Sequence, residues 1–158
     1  MTEILSLRRV SFVHVAATWF MVGMIWTIHL VHYPLFANVG PESYVAFQAE
    51  HVDRIGALLF VPWLTEGLTL LALMWFVVVA RRRDIAVPVL VGAAAMGIVL
   101  AISGFWSAPA HGELADGFDA AVHDRLMAAN LVRSVAWTVR GVCAAWIVVI
   151  VTRRETAP

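Results

Sequence analysis

The side chains able to do chemistry here are few, and most stand at the margins of apolar runs. "TIHLVHYPLF", residues 27–36, puts His29, His32 and Tyr33 close together at the end of a long apolar stretch. Three residues apart, His29 and His32 are expected on one helix face, with Tyr33 one turn from His29. His51, His111 and His123 stand beside the ends of other apolar runs, so only His14 among the six histidines is expected at the opposite end. Imidazoles brought to one depth by several helices can ligate a transition metal or a haem iron. His29, His32, His51, His111 and His123 are therefore candidate metal ligands. The competing reading is that His and Tyr rest at a membrane interface as amphipathic rings. No H-x-x-x-H or H-E-x-x-H pair marks a local ligand motif.

A second group lies deeper. "NLVRSVAWTVRG" spaces Asn130, Arg133, Trp137 and Arg140 at offsets of three, seven and ten, a stripe down one side of a helix. Arg140 falls roughly 20 Å beyond Met127 at 1.5 Å per residue. An arginine at the centre of a bilayer costs at least about 2.5–3.5 kcal/mol, so this stripe is expected to face inward and be paired. Glu66, about 16 Å beyond Ile55, is the counter-ion expected at a depth between Arg133 and Arg140. Such a pair reads either as a working ion network or as a lock between two helices.

Together these residues suggest an outward-opening pocket, the form a ligand site usually takes. His29, Ser103, Asn130 and Arg133 are its expected walls, Glu66 its floor, and Trp26, Trp106 and Trp137 its lining. His29, Tyr33, Glu66 and Arg133 are the candidate catalytic groups, with His29 as a base and Tyr33 as a relay. Trp26, Ser103, Trp106, Asn130, Trp137 and Arg140 are the candidate substrate contacts.

These groups need elements to hold them. Of the 158 residues, 61% are hydrophobic and 14% charged, against about 45–50% and about 25% in soluble domains. An integral membrane protein of one domain is expected. Four runs suit spans of about 20 helical residues: Val10–Phe36, Ile55–Ala80, Ile85–Ala108 and Met127–Val151. The first is too long for a signal core. "GPESYVAFQAEHVDRI" reads as a short helix running into the second span, and Asp119 as the N-cap leading to the fourth. Ala93, Gly97, Ala101, Gly104 and Ala108 form a small-residue stripe that invites close packing. The expected fold is an all-α antiparallel four-helix transmembrane bundle.

Charge sets the expected topology. Arg8, Arg9, Arg81, Arg82, Arg83, Arg153 and Arg154 mark the N-terminus, second loop and C-terminus, whereas the first and third loops are acidic. Both termini are therefore expected in the cytoplasm of a bacterial inner membrane. Zero net charge gives no reason to expect nucleic acid. Cys143 alone offers no disulfide, and the absence of lysine excludes Schiff-base chemistry.

"VHYPLF", "EHVDRI", "APAHGELADGFDAAVHDRL" and "NLVRSVAWTVRG" resemble a group of uncharacterised small bacterial four-span membrane proteins. More distantly, the P-x-H-x-x-L run from Pro109 and the N-x-x-R-S run from Asn130 resemble the anthrone-oxygenase-like family. His111 stands where that family has asparagine, and Ser134 where it has threonine. The resemblance implies a membrane-embedded oxidoreductase or oxygenase acting on a small hydrophobic molecule. Two other readings stand beside it. One is a carrier built on Glu66, Arg133 and Arg140, which would need to form a homo-oligomer. The other is an accessory subunit of a larger membrane complex.

Overall fold

The computed structural model describes residues 2–155, with side chains over 6–153. Helix α1 (Thr2–Thr27) runs on through a π-helical turn (Ile28–His32) and a 3-10 turn (Tyr33–Asn38). Helix α2 (Pro41–Val78) follows, then α3 (Ala86–Ile102), a second π-helical turn (Ser103–Ser107), α4 (Ala108–Leu114) and α5 (Ala120–Glu155). There is no strand among the described residues. Four continuous helical runs are long and apolar enough to cross a membrane: Ser6–Asn38, Pro41–Val78, Arg83–Leu114 and Ala120–Arg153.

Each π-helical turn lies just ahead of a proline, whereas Pro62 sits inside α2 with no change of pitch. A proline lacks an N–H and its ring collides with the carbonyl four residues back. For Pro34 and Pro109 those carbonyls belong to Leu30 and Phe105, each inside a π-helical turn. The wider turn carries the ring past the obstruction, and such turns gather at functional sites. Pro41 instead opens α2 behind Gly40 as N-cap, where no intrahelical N–H is needed. At the far end of α2, Arg81 adopts a left-handed backbone (φ 57°) and the Arg82 amide donates to the Phe76 carbonyl at 3.0 Å, closing the helix. Asp119 Oδ1 accepts the Val122 amide at 2.9 Å and caps the start of α5.

Helix α1 packs on α2 and α5, and α3 packs on α5, while α2 meets α3 along a looser seam. Three apolar clusters stack along the molecule. One joins Leu7, Phe76, Ile85 and Val151. The middle one joins Val22, Leu70, Val99 and Trp137. The third joins Tyr33, Phe36, Tyr44, Leu114 and Leu126. The small-residue stripe does not make the expected contact, since Gly97, Ala101, Gly104 and Ala108 are exposed. The buried face of α3 is instead Pro88, Val89, Gly92, Ala95, Met96 and Val99. The closest approach of helices at a glycine is at Gly141, where a Cβ would lie 3.1 Å from Val22 and 3.3 Å from the Trp19 ring.

Candidate functional site at the histidine end

The two π-helical turns lie at the same end of the molecule, and a polar cluster is built between them. Tyr33 Oη and His111 Nε2 are 2.9 Å apart. On the other side of that ring, Gln48 Nε2 reaches His111 Nδ1 at 3.0 Å and the His111 carbonyl at 3.3 Å. An amide nitrogen only donates, so Nδ1 accepts and the neutral ring carries its proton on Nε2, directed at Tyr33. Reversing the amide would set its oxygen against the carbonyl. The Arg133 guanidinium stands beside the same phenol and donates to Ser107 Oγ at 3.2 Å.

A second imidazole pair adjoins this one. His32 Nε2 and His51 Nδ1 are 2.8 Å apart. His51 is 7% exposed, and its Nε2 has no partner among the described residues. Its ring is packed by Phe36, His111 and Tyr33 at centroid distances of 5.0, 5.4 and 6.0 Å. Two grooves meet at His51. One, of about 470 Å³, lies between α2 and α4 and is lined by Gln48, His51, Ile55, Ala108 and His111. The other, of about 320 Å³, is lined by His32, Phe47, Glu50, His51 and Arg54.

The remaining expected site residues divide between this cluster and other places. His123 Nε2 donates to the Tyr33 carbonyl at 2.9 Å and holds the chain where α1 ends. His29 stands apart, edge-on to Trp26 at 5.9 Å, with Nδ1 unpartnered among the described residues. The wider turn over Ile28–His32 breaks the α-helical spacing on which a shared His29–His32 face depends. Trp106, expected in the pocket's aromatic lining, is 55% exposed because the π-helical turn at Ser103–Ser107 carries it outward. Trp26 donates from Nε1 to Thr138 Oγ1 at 2.9 Å. Ser103 Oγ and both amide atoms of Asn130 are buried without partners among the described residues.

Glu66 does not form the floor of this cluster. Fifteen residues separate it from His51 along α2, about 22 Å. There it is 0% exposed and is paired with Arg140, at 1%. Glu66 Oε1 accepts from Arg140 Nε at 2.8 Å, from Arg140 Nη2, and from Thr18 Oγ1 at 3.1 Å. Arg140 Nη1 donates to the Gly92 carbonyl at 2.6 Å, and the guanidinium stacks 5.1 Å from the Trp137 ring centre. Thr69 spends its own proton on the Thr65 and Glu66 carbonyls, so His14 Nδ1 donates to Thr69 Oγ1 at 2.8 Å. This layer ties α1, α2, α3 and α5 together.

A resident metal does not fit the cluster. Among the described residues, no three His, Cys, Asp or Glu side chains converge closely enough to hold an ion. The imidazoles of His32, His51, His111 and His123 are bonded to one another or to Tyr33 and Gln48. A haem on His51 Nε2 would have to displace the three rings packed around it. Sequence reasoning missed Gln48, Ser107, Thr18 and Thr69. Gln48 had a signal, since it shares a helix face with Tyr44 and His51 at spacings of four and three. No protein-family model, curated protein or solved structure matches the chain.

Proposed function

We propose that this is an antiparallel four-span protein of a bacterial cytoplasmic membrane, with both termini inside and the histidine end facing out. In this reading the histidine end is an acid–base centre of oxidoreductase or oxygenase type, acting on a small hydrophobic molecule. One observation carries it. His51 offers a buried, unpartnered Nε2 on a groove wall while its Nδ1 is held by His32. A base oriented through its other nitrogen is how an imidazole is fixed for proton abstraction.

With its proton on Nδ1, directed at His32, His51 keeps a lone pair on the buried Nε2, and a turn of its side chain brings that lone pair to a substrate in the groove. It takes a proton from an acidic O–H or C–H of the substrate, and the Nδ1 proton passes to His32. His32 lines the second groove and returns the proton to solvent. Gln48 and His111 share the groove wall with His51, and the bond from His111 to the buried Tyr33 fixes that wall from behind. The electron-rich anion is then oxidised by an acceptor such as dioxygen, for which these residues need supply no electrons.

The test is oxygen consumption by nanodisc-reconstituted protein supplied with an alkyl-hydroquinone. Activity that His51→Gln removes and that Glu66→Gln retains per folded molecule supports the reading. Activity indifferent to His51 overturns it.

A further inference from the structure

The groove at His51 has a continuation deeper in the molecule. Where α2 and α3 pack loosely, a third groove of about 520 Å³ runs between them. Its walls include Phe60, Trp63, Gly67, Leu71, Met96 and Leu100, with no charged side chain. On α2, Ile55, Trp63, Gly67 and Leu70 step from one groove to the other at helical spacing, while Phe60, Leu64, Leu68 and Leu71 widen the deeper groove toward the exposed side of the helix. On the facing side, Ala108 stays in line with Leu100 because the π-helical turn between them absorbs one residue, about 100° of rotation. Between the grooves lies about 7 Å of α2. The glycines there, Gly56 and Gly104, have open space around them.

The geometry points to a single-tailed amphiphile as the substrate, with a ring-sized uncharged head at His51 and a long hydrocarbon tail lying down the α2–α3 seam. This deepens the reading above and rests on it for the identity of the head site. From Ile55 to Leu71 the seam is about 24 Å long. That is most of the roughly 30 Å hydrocarbon thickness, so a tail in it stays at the depth of the lipid chains. Inside a bilayer the tail gains nothing from leaving water, because the surrounding lipid is equally apolar. The groove instead offers walls on two sides and therefore more dispersion contacts than an open helix face.

Charge argues against a phospholipid head. Arg54 is bonded to Glu50 and Arg125 to Glu113, and no arginine lines the head groove. The head groove presents imidazole and amide groups, which suit a hydroxyl or carbonyl.

A hexadecylphenol with a diazirine at the tail end, in phosphatidylcholine nanodiscs, tests this. Irradiation is expected to label peptides spanning Phe60–Leu71 and Met96–Leu100. Gly67→Leu should cut that label several-fold without unfolding the protein, since a Cβ there meets nothing within 4 Å. Leu71→Trp, at an exposed position, is the second blocking variant. Excess prenylated hydroquinone should compete and excess phosphatidylglycerol should not. Label spread over the outer face of α5, indifference to both variants, or competition by phosphatidylglycerol alone overturns the proposal. Ethylphenol separates the two readings, because it should shift the His51 ring resonances equally in wild type and Gly67→Leu. A shift without seam labelling overturns the tail alone. Seam labelling without a shift overturns the head site.

Discussion

His51 Nδ1 and His32 Nε2 lie 2.8 Å apart, one ring buried and the other half-exposed. A bond between two imidazoles needs one donor and one acceptor, so at least one ring is neutral while it stands. Replacing His32 by Gln keeps a side chain able to accept that bond, whereas Phe does not. His32→Gln is therefore expected to retain more activity than His32→Phe, and His51→Gln to retain almost none. Rates of the three variants on one substrate check this. General-base loss typically costs 10²–10⁴-fold, the range expected for His51→Gln.

Gln48 sets the proton of His111. Nitrogen-15 spectra of the ring are expected to show the proton on Nε2 in the wild type. In Gln48→Leu the two tautomers should mix, since the donor to Nδ1 is gone. A wild-type ring protonated on Nδ1 would contradict the bonding of Tyr33 and Gln48 described above.

The Glu66–Arg140 pair is expected to behave as a lock. Removing one member strands a buried charge, typically at about 3–5 kcal/mol, while replacing both with apolar residues is often neutral. Glu66→Leu and Arg140→Met should each lower the thermal midpoint sharply, and the double variant should recover most of the loss. For contrast, Trp26→Phe removes one bond to Thr138 and should cost only about 0.6 kcal/mol, the average for such bonds in membrane helices.

Two glycines should respond in opposite ways. Gly141→Leu drives a side chain into Val22 and Trp19 and should destabilise by about 1–3 kcal/mol, the range for overpacking. Gly67→Leu should leave the midpoint unchanged. Thermal unfolding in one detergent compares them directly.

The buried ion pair and the histidine site differ in how readable they were. Depth arithmetic on α2 and α5 brought Glu66 to the arginine stripe, because straight helices preserve spacing, and the partner is Arg140. Arg133 has a different role, beside Tyr33 and on Ser107. The histidine end was harder to read because a π-helical turn precedes each of Pro34 and Pro109. Those turns shift the phase of everything beyond them, so His29 turns from His32 and Trp106 turns outward. Tyr33 meets His111 across 78 residues of chain, a contact that only tertiary packing makes.

Isotope exchange tests the central claim most directly, since proton removal by His51 needs no oxidant. An alkyl-hydroquinone's ring carbons exchange too slowly to report, so an enolisable long-chain ketone in deuterated buffer, held without oxygen, serves as the probe. Wild-type protein in nanodiscs is expected to load deuterium beside the carbonyl far faster than His51→Gln, with Glu66→Gln matching the wild type per folded molecule. Equal exchange by wild type and His51→Gln would contradict the account.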